Sequence, residues 1–364
     1  MSKEHIVFLF PGAWSVPIGG YKVIYEYANR FVQDGYNVTI VYPAQVLFKK
    51  HAFFNKLCIL AFYIKNIIFK KYEPYSWFPL DKRVQLKYVW SLKEKNVPYA
   101  DVYVATAVET AIYLNEYTND RAQKYYFIQG YETWAVCEDR LWESYKYKMN
   151  KIVIAPWLLD KVRAVGQEAI MIYNGFDFKC FCLIKDIEFK DKYCVSMLYH
   201  TSKLKGCDVA FAALNRVKDR IPQLHVNLFG FPDKPKNLPD WFTYYQKPNR
   251  ELLNKIYNNS AIFIGASYSE GFCLTPPEAM MCGCAIACTD IGGYTVICKH
   301  EENSLLSPVG DNEALAMNII RLIEDDDLRI HLAGNGYAMI QEFTWDRAYD
   351  QLKRAFQLLS LIHI

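Results

Sequence analysis

The stretch Ala261–Met280, AIFIGASYSEGFCLTPPEAM, holds the most informative pattern of the sequence. Its first six residues are uncharged and mostly apolar, which is typical of a buried strand. Thr275 precedes two prolines, and this order predicts a helix over Pro276–Cys282 with Thr275 as its N-cap. A further apolar run follows at Ala285–Thr289. The stretch therefore predicts a strand–loop–helix–strand unit of a parallel α/β sheet.

Two carboxylates in this stretch call for an explanation. Glu278 lies in the first turn of the predicted helix, where the helix dipole favours a negative charge, and this structural reason is sufficient. Glu270 precedes the helix, in a loop at the carboxyl edge of the sheet, where ligands of such folds bind. Helix N-termini also bind anions. Carboxylates beside such a helix end suit a ligand that has phosphates and hydroxyls together, as a nucleotide sugar does.

The same alternation begins twice along the chain. In the first half, a strand at Ile6–Phe10 leads through a loop with Gly19–Gly20 into a helix that ends before Gly35, and Asn37–Tyr42 forms the next strand. Further strands are predicted at Val102–Ala105, Lys124–Gln129, Lys151–Ala155, Ile172–Phe176, Cys194–Tyr199 and Leu224–Phe229. Further helices are predicted at Cys207–Val217, Arg250–Asn258 and from Asn312 onward.

Two successive α/β halves predict two Rossmann-like domains that face each other across a cleft. We expect the first domain over residues 1–172 and the second over residues 173–345. A C-terminal helix at 346–364 is expected to pack back on the first domain.

The composition excludes several classes of protein. The chain has 42 Lys and Arg against 39 Asp and Glu, and this near balance argues against a nucleic-acid partner. Its 52% hydrophobic residues exclude a disordered chain. The eleven cysteines are an odd number, and no secretory signal precedes them, so a disulfide framework is not expected. No apolar run approaches the roughly 20 residues of a membrane span, which predicts a cytoplasmic protein.

The segment Val46–Lys71 contains six lysines among many apolar residues and has no Asp or Glu. A basic amphipathic segment of this kind can lie on an anionic membrane surface. A helix packed in the core with solvated lysines explains the pattern equally well, and both interpretations remain open. In the first case the protein is peripheral on the inner face of the plasma membrane, and its acceptor is lipid-linked.

Glu270 and Glu278 stand seven residues apart within E-G-F-x-L-x-P-x-E-A-M. This spacing resembles the EX7E signature of retaining glycosyltransferases of family 4, enzymes of the GT-B fold, and in particular the bacterial surface-polysaccharide type. Other motifs of that family have counterparts in the same order at Gly19–Gly20, Gly35–Val38, Asn174–Asp177, Lys205–Gly206 and Phe343–Trp345. The resemblance covers nearly the full length, and six motifs in order are specific where each alone is weak.

The resemblance implies a hexosyl- or deoxyhexosyltransferase that moves a sugar from a nucleotide diphosphate to a glycan or lipid-linked acceptor. No metal or other cofactor is expected, so cationic side chains must meet the charge of the leaving diphosphate. By the family pattern Lys205 contacts that diphosphate. Relatives commonly have an arginine about five residues earlier, where this chain has His200, and His200 or Lys203 is expected to replace it.

The family pattern also assigns the other donor-binding residues. Glu278 is expected to bind the ribose hydroxyls, and Glu270 is expected to face the hydroxyls of the donor sugar. The backbone of the loop between them is expected to touch sugar and phosphate, and a glycine pair in the first domain should let the backbone approach the diphosphate. These backbone contacts are assigned to Phe272, Cys273, Leu274, Thr275, Gly19 and Gly20.

On the acceptor side the resemblance implicates Gln129 and Glu132. Many relatives have a histidine near the acceptor hydroxyl, and Gln129 replaces it here. Glutamine can orient a hydroxyl but cannot carry a proton. Retention in such enzymes is described as front-side attack in which a phosphate oxygen takes the proton, so no protein base is assigned.

Other signals and functions carry less weight. Cys282, Cys284 and Cys288 have metal-like spacing but no second pair, and Asp325–Asp327 is expected at a solvated helix end. The replacements at His200 and Gln129 keep open an inert scaffold or binding subunit of a glycosyltransferase complex. A nucleotide-dependent oxidoreductase is disfavoured, because no G-x-G-x-x-G follows the first strand.

Overall fold

The computed structural model describes residues 3–14, 16–45 and 53–358. The chain divides into two compact units. Unit 1 comprises residues 1–173 with 348–364, and unit 2 comprises residues 174–347. In the described part of each unit, a parallel sheet is combined with helices that connect its strands. Each unit is thus a Rossmann-like α/β domain.

Unit 1 is built on seven parallel strands in the order β3-β2-β1-β4-β5-β6-β7 within its described residues. The strands are β1 (His5–Leu9), β2 (Asn37–Pro43), β3 (Gln85–Val89), β4 (Val102–Ala105), β5 (Gln123–Ile128), β6 (Asn150–Val153) and β7 (Ile170–Met171). The helices are α1 (Gly19–Gln33), α2 (Phe53–Phe69), α3 (Val108–Asn115), α4 (Glu138–Tyr145) and α5 (Pro156–Arg163).

The central strand β1 shows why unit 1 folds in this way. Its Ile6, Val7, Phe8 and Leu9 are fully buried, as expected for a parallel strand with helices on both faces. On one face, the Phe31 ring of α1 stacks against the ring of Phe356 at a centroid distance of 5.8 Å. A residue from the second segment of unit 1 therefore completes the core that the first segment begins.

Unit 2 repeats the arrangement with six described strands in the order β10-β9-β8-β11-β12-β13. They are β8 (Cys194–Tyr199), β9 (His225–Gly230), β10 (Phe242–Gln246), β11 (Ile262–Gly265), β12 (Ala285–Thr289) and β13 (Leu305–Ser307). The helices are α6 (Cys207–Arg220), α7 (Arg250–Asn258), α8 (Thr275–Met281), α9 (Asn312–Glu324) and α10 (Asp326–Ile340). The helix α11 (Trp345–Ala355) begins in unit 2 and continues into unit 1.

Two motifs far apart in the sequence meet in unit 2. The Phe176 N–H donates to the carbonyl of Phe343 at 2.9 Å, and Phe176 forms an isolated parallel bridge with Thr344. The motifs Asn174–Asp177 and Phe343–Trp345 are therefore two halves of one structural contact.

Several element predictions are wrong in detail. Gly19 and Gly20 open α1 instead of lying in a loop, and the strand expected at Ile172–Phe176 lies at Ile170–Met171. Helix α8 begins at Thr275, so the N-cap is Leu274, which makes no side-chain capping hydrogen bond, and not Thr275 as predicted. Two prolines fit the start of a helix because the first N–H groups there have no intrahelical partner. Helix α8 begins one residue before the predicted start at Pro276, and both prolines lie in its first turn.

Part of the segment Val46–Lys71 lies outside the described residues, namely residues 46–52. The remainder forms α2. Within the described part of the chain, none of the helices has the length and apolar character that crossing a membrane requires.

Candidate functional site

The strand order of unit 2 identifies one edge of its sheet as a site. The order reverses between β8 and β11, and ligands of open α/β sheets bind outside the carboxyl ends of the strands at such a point. The loop after β8 carries Lys205, and the loop after β11 carries Glu270. Two residues singled out from the sequence are therefore brought together at this edge.

Lys205 and Glu270 form an ion pair at the edge. The Lys205 Nζ lies 2.5 Å from the Glu270 Oε1, and both side chains are partly buried, at 29% and 17% exposure. An ion pair in partly excluded solvent is stronger than one on the open surface. It holds a positive charge and a carboxylate at the position where the fold binds ligands.

The Glu270 carboxylate is held by a chain of hydroxyl groups. Ser267 Oγ donates to the Glu270 Oε1 at 2.8 Å, and the buried Tyr294 hydroxyl donates to Ser267 Oγ at 2.9 Å. Thr289 Oγ1 donates to the carbonyl of Ser267 at 2.6 Å. A Cβ on Gly293 would lie 2.5 Å from the Cβ of Glu270, so the following loop packs directly on this side chain.

Lys205 is positioned by the glycine that follows it. Gly206 has φ +59°, and a Cβ there would lie 1.9 Å from the carbonyl oxygen of Ala266. The position therefore demands glycine for both its backbone conformation and its close contact. In addition, the Tyr268 N–H donates to the carbonyl of Leu204 at 2.8 Å, which joins the β8 and β11 loops.

His200 and Lys203 lie in the same loop as Lys205, and Lys203 is exposed. Burial, and after it the charge of Lys205, lower the pKa of His200 below its ordinary value of 6.5. These two causes favour the neutral form of His200, whereas the charge of Glu270 opposes them. The lysines carry the positive charge of this loop.

The stretch that leads into α8 is more enclosed than expected. Phe272 and Cys273 are buried, and the Cys273 N–H already donates to the carbonyl of Gly293 at 3.3 Å. Leu274 and Thr275 are partly exposed. Glu278 is only 7% exposed and faces the hydroxyl of Tyr257, since its charge is the second cause, after burial, of the raised pKa of that group.

In unit 1 the strand order reverses between β1 and β4, and the predicted residues of this unit lie at the same edge. Gly20 contacts Gln129, because a Cβ on Gly20 would lie 3.2 Å from the Gln129 Oε1. Glu132 Oε2 accepts a hydrogen bond of 2.6 Å from the Val108 N–H at the start of α3. Gly19 is the first residue of α1.

The surroundings of Glu132 favour the protonated form of its carboxyl group. Burial is the main cause that raises the pKa of Glu132 to about 8, and the charge of Glu109 adds to it. The hydrogen bond from the Val108 N–H opposes the shift. At neutral pH, Glu132 is therefore mainly a neutral carboxylic acid, which can donate a hydrogen bond as well as accept one.

The weaker sequence signals have structural explanations. Cys282, Cys284 and Cys288 are fully buried, and burial raises the pKa of each thiol. Asp325 begins α10 by accepting a hydrogen bond of 2.9 Å from the Leu328 N–H. Within the described residues, no group of three or more His, Cys, Asp and Glu side chains is arranged to hold a metal ion.

The sequence alone did not reveal the residues that hold Glu270. Ser267 and Tyr294 are 27 residues apart, and neither belongs to a motif with a known spacing. The Gly292–Gly293 pair after the short strand β12 was the available signal, because it marks a backbone that approaches another group closely.

The fold agrees with that of solved glycosyltransferase structures. The crystal structure of the Anabaena protein HepE in complex with UDP-glucose has a TM-score of 0.72 and 17% sequence identity, and the alignment covers 98% of this chain and 100% of that one. The chain has two Rossmann-like domains and the GT-B fold, as the resemblance implied.

The family comparison agrees with the fold. Residues 184–339 match the family model described as glycosyl transferases group 1, and this segment includes Lys205, Glu270 and Glu278. This part of the chain is therefore similar to the group 1 glycosyltransferases, in agreement with the resemblance found in the sequence.

Curated relatives match over part of their length. A phosphatidyl-myo-inositol mannosyltransferase of Mycolicibacterium smegmatis is 20% identical over 210 residues, which are 55% of this chain and 54% of that protein. O-antigen chain mannosyltransferase B of Escherichia coli is 27% identical over 119 residues, which are 33% of this chain and 31% of that protein. The matches thus span about half or less of these relatives.

Proposed function

We propose that the protein is a retaining, metal-independent glycosyltransferase that transfers a sugar from a nucleotide-diphosphate donor to a glycan or lipid-linked acceptor. The observation that carries the proposal is the Lys205–Glu270 pair at the switch point of unit 2. A cation and a carboxylate side by side match a ligand with a diphosphate and sugar hydroxyls. The mannosyltransferase relatives support this class of reaction.

The proposed reaction replaces one bond to the anomeric carbon by another on the same face. The bond from the anomeric carbon to the diphosphate oxygen breaks, and a bond to the acceptor oxygen forms where the diphosphate leaves. The proton of the acceptor hydroxyl passes to a phosphate oxygen, so no protein base is required. Lys205 stabilises the negative charge on the leaving diphosphate, and Lys203 adds to the positive potential of the loop.

The residues of the site have separate tasks in this proposal. Glu270, released from part of its bond to Lys205, accepts hydrogen bonds from hydroxyls of the donor sugar. Glu278 binds the ribose hydroxyls, which must reach its carboxylate past the loop that precedes α8. Gln129 and Glu132 in unit 1 orient the hydroxyl of the sugar acceptor. Gln129 accepts a hydrogen bond from this hydroxyl, and the neutral Glu132 can donate or accept one.

A donor panel tests the proposal. Thermal unfolding is measured with UDP-, GDP-, dTDP-, ADP- and CMP-linked sugars, each with and without EDTA. We expect one class of donor to raise the midpoint, because a ligand that binds only the folded state stabilises it, and EDTA should not alter the rise. Transfer to acceptor is then followed by mass spectrometry, and the anomeric configuration of the product by NMR.

Matched variants make the donor experiment specific. Lys205→Ala should abolish the rise in midpoint, whereas Lys255→Ala, which removes an exposed lysine paired with Glu251 in α7, should preserve it. Donor binding without any transfer would favour the inert-subunit interpretation. Absence of both binding and transfer would contradict the proposal, as would an inverted product.

We also propose that α2 attaches the protein to an anionic membrane surface, which would bring it to a lipid-linked acceptor in glycolipid or cell-surface polysaccharide synthesis. Leu60, Ile64, Ile67 and Ile68 follow helical spacing on one face of α2, and all four are exposed. The opposite side packs on unit 1, where Asn66 is buried and donates to the Tyr88 hydroxyl at 3.0 Å.

The charges around this apolar face suit the same surface. Lys65, Lys70 and Lys71 are exposed beside this apolar face. The Lys70 Nζ lies 3.7 Å from the Glu73 Oε1. Each lysine near an anionic bilayer contributes about 1 kcal/mol to attraction. The exposed apolar side chains argue against a helix that is packed in the core with only its lysines solvated.

Liposome flotation tests the membrane proposal. We expect binding to vesicles that contain phosphatidylglycerol and little binding to pure phosphatidylcholine. Ile64→Glu with Ile68→Glu should abolish flotation, whereas Met317→Glu, at an exposed apolar residue of α9, should not. Equal binding to neutral and anionic vesicles, or binding unaffected by the α2 variant, would contradict the proposal.

A further inference from the structure

Two tryptophans stand out at the carboxyl edge of unit 1. The chain has eight tryptophans, and six of them are buried or partly buried. The other two, Trp14 and Trp134, are 56% and 71% exposed and lie in the loops that follow β1 and β5. A single exposed aromatic is common, but two at one ligand-binding edge indicate a contact surface.

Trp134 lies beside Gln129 through the intervening glycine. A Cβ on Gly130 would be 3.3 Å from Cη2 of the Trp134 indole, so the ring lies close against this backbone. Gly130 directly follows Gln129 in the sequence. The indole therefore lies against the backbone that directly follows Gln129, and most of its surface remains in solvent.

Trp14 approaches the same edge from the β1 loop. Its Nε1 would lie 3.6 Å from a Cβ on Gly12, and its side chain is hydrogen-bonded with Tyr21. The Tyr21 hydroxyl in turn donates to the carbonyl of Gly12 at 2.8 Å. Tyr21 directly follows Gly20, the glycine that contacts Gln129.

Gln129 supplies a polar group that lacks a partner. Its Oε1 is buried, and no hydrogen bond reaches it from the residues that the structure describes. A buried acceptor without a donor costs free energy, so a ligand that brings a hydroxyl to it gains that energy on binding. The edge therefore offers aromatic faces and a hydrogen-bond acceptor together.

We propose that Trp134 and Trp14 form a stacking platform for a pyranose ring of the acceptor, one hydroxyl of which donates to the Gln129 Oε1. This inference rests on the proposed function and narrows its acceptor to a saccharide. A pyranose has an apolar C–H face for an indole and hydroxyls at its rim for the amide. An acyl chain would fit the aromatic faces but leave the Gln129 Oε1 without a donor.

A glycan array tests whether the platform binds saccharides at all. The tagged full-length protein is applied, with UDP present and absent, to an array of bacterial surface oligosaccharides. The best free oligosaccharide is then titrated while the intrinsic tryptophan fluorescence is recorded. We expect a saccharide-dependent fluorescence change that Trp134→Ala reduces, with a dissociation constant raised about tenfold, the size typical of a tryptophan at the centre of a contact.

Conservative and control variants separate stacking from a structural role. Trp134→Phe keeps an aromatic face and should bind the oligosaccharide within about threefold of the parent protein. Tyr99→Ala removes an exposed aromatic at the opposite edge of unit 1 and should behave as the parent protein. In transfer assays, Trp134→Ala should raise the acceptor KM about tenfold while the donor KM stays within about twofold.

The outcomes distinguish this inference from the proposed function. Saccharide binding that Trp134→Ala weakens, in a protein that shows no transfer, would support the platform while contradicting the transferase. Donor turnover with equal acceptor KM in Trp134→Ala and Tyr99→Ala would support the transferase and overturn the platform. Absence of saccharide binding with and without UDP would also overturn it.

Discussion

The two sheets share the strand order of a Rossmann fold, but their carboxyl edges carry different side chains. At the edge of unit 2, Lys205 and Glu270 form an ion pair that Ser267 and Tyr294 support. At the edge of unit 1, Gln129 shares the loop after β5 with the exposed indole of Trp134, and Trp14 is exposed in the loop after β1. Charged side chains thus characterise the edge of unit 2, and neutral polar and aromatic side chains characterise the edge of unit 1.

Under the proposed function, this difference matches two kinds of ligand. A nucleotide diphosphate has a fixed negative charge, which requires a fixed positive charge in the protein. A saccharide acceptor is neutral and varied, so amides and aromatic rings suit it better than lysines. The same backbone frame can thus serve two substrates, because the loops after the strands carry the specificity.

The largest effect should come from removing the charge of Glu270. Glu270→Gln preserves the shape of the side chain but removes the carboxylate that pairs with Lys205 and that, in the proposed function, binds the donor sugar. We expect kcat/KM to fall about 100-fold or more, the size of effect seen when one group that stabilises a transition state is lost. Initial rates with the donor found in the panel measure it.

A matched carboxylate provides the control for this comparison. Glu251 pairs with Lys255 on the exposed surface of α7, so Glu251→Gln should leave kcat/KM unchanged within experimental error. If Glu270→Gln retained a third or more of the parent activity, the carboxylate would have no central task at the edge of unit 2.

The backbone beneath Lys205 gives the next effect. Gly206→Ala places a methyl group 1.9 Å from a carbonyl oxygen at φ +59°, and we expect a loss of about 3 kcal/mol in the free energy of unfolding. Scanning calorimetry should show the unit 2 transition about 6–12 °C lower. Donor binding should weaken as well, because Lys205 loses its position.

A second glycine of unit 2 tests whether the loss of stability in Gly206→Ala comes from its close contact with a carbonyl oxygen. Gly334 lies within α10, and a Cβ there would meet no atom within 4 Å. Gly334→Ala should therefore stabilise the protein by up to about 1 kcal/mol through its higher helix propensity. A loss of stability in Gly334→Ala would contradict the open space around this position, and the loss in Gly206→Ala would then not be specific to its carbonyl contact.

Interior strands were predictable from the sequence, and edge strands were not. The predicted limits Cys194–Tyr199 and Ala285–Thr289 are confirmed, because a strand buried on both faces is a continuous apolar run. The four strands at the sheet edges, β3, β7, β10 and β13, were missed or misplaced. Most residues of β3 and β10 are partly or fully exposed, so these strands lack a continuous buried run, and β7 and β13 have only two and three residues.

The candidate site was predictable only where a motif has fixed spacing. Glu270 and Lys205 belong to motifs that resemble a known family, and the structure brings them into contact. Trp14 and Trp134 belong to no such motif, and their exposure at one edge of the sheet depends on the conformation of loops after different strands. Local pattern cannot show such contacts.

The acid at the edge of unit 1 predicts a dependence of stability on pH. The pKa of Glu132 is raised to about 8 from an ordinary value of 4.5, so between these values the folded state keeps a proton that the unfolded state has lost. Stability should therefore fall as pH rises through this window, by about 1.4 kcal/mol per pH unit at most, and level off above it.

Glu132→Gln should remove this slope, because the amide is neutral at every pH. Glu116→Gln, which changes an exposed carboxylate at the end of α3, should keep the slope of the parent protein. Urea unfolding at pH 5, 6, 7 and 8 measures both variants. A slope that is the same in all three proteins would show that Glu132 is ionised at neutral pH.

The smallest effect should come from the chain of hydroxyl groups that supports Glu270. It measures how far the position of the charged carboxylate depends on uncharged hydrogen-bond donors. Tyr294→Phe removes the buried hydroxyl that donates to Ser267, and Ser267→Ala removes the hydroxyl that donates to Glu270. We expect each to cost about 1 kcal/mol in transition-state stabilisation, or about fivefold in kcat/KM. The double variant should lose less than the sum, because the two hydroxyls act through one chain. Strictly additive losses would mean that Tyr294 acts independently of Ser267, and not through the chain of hydroxyls that leads to Glu270.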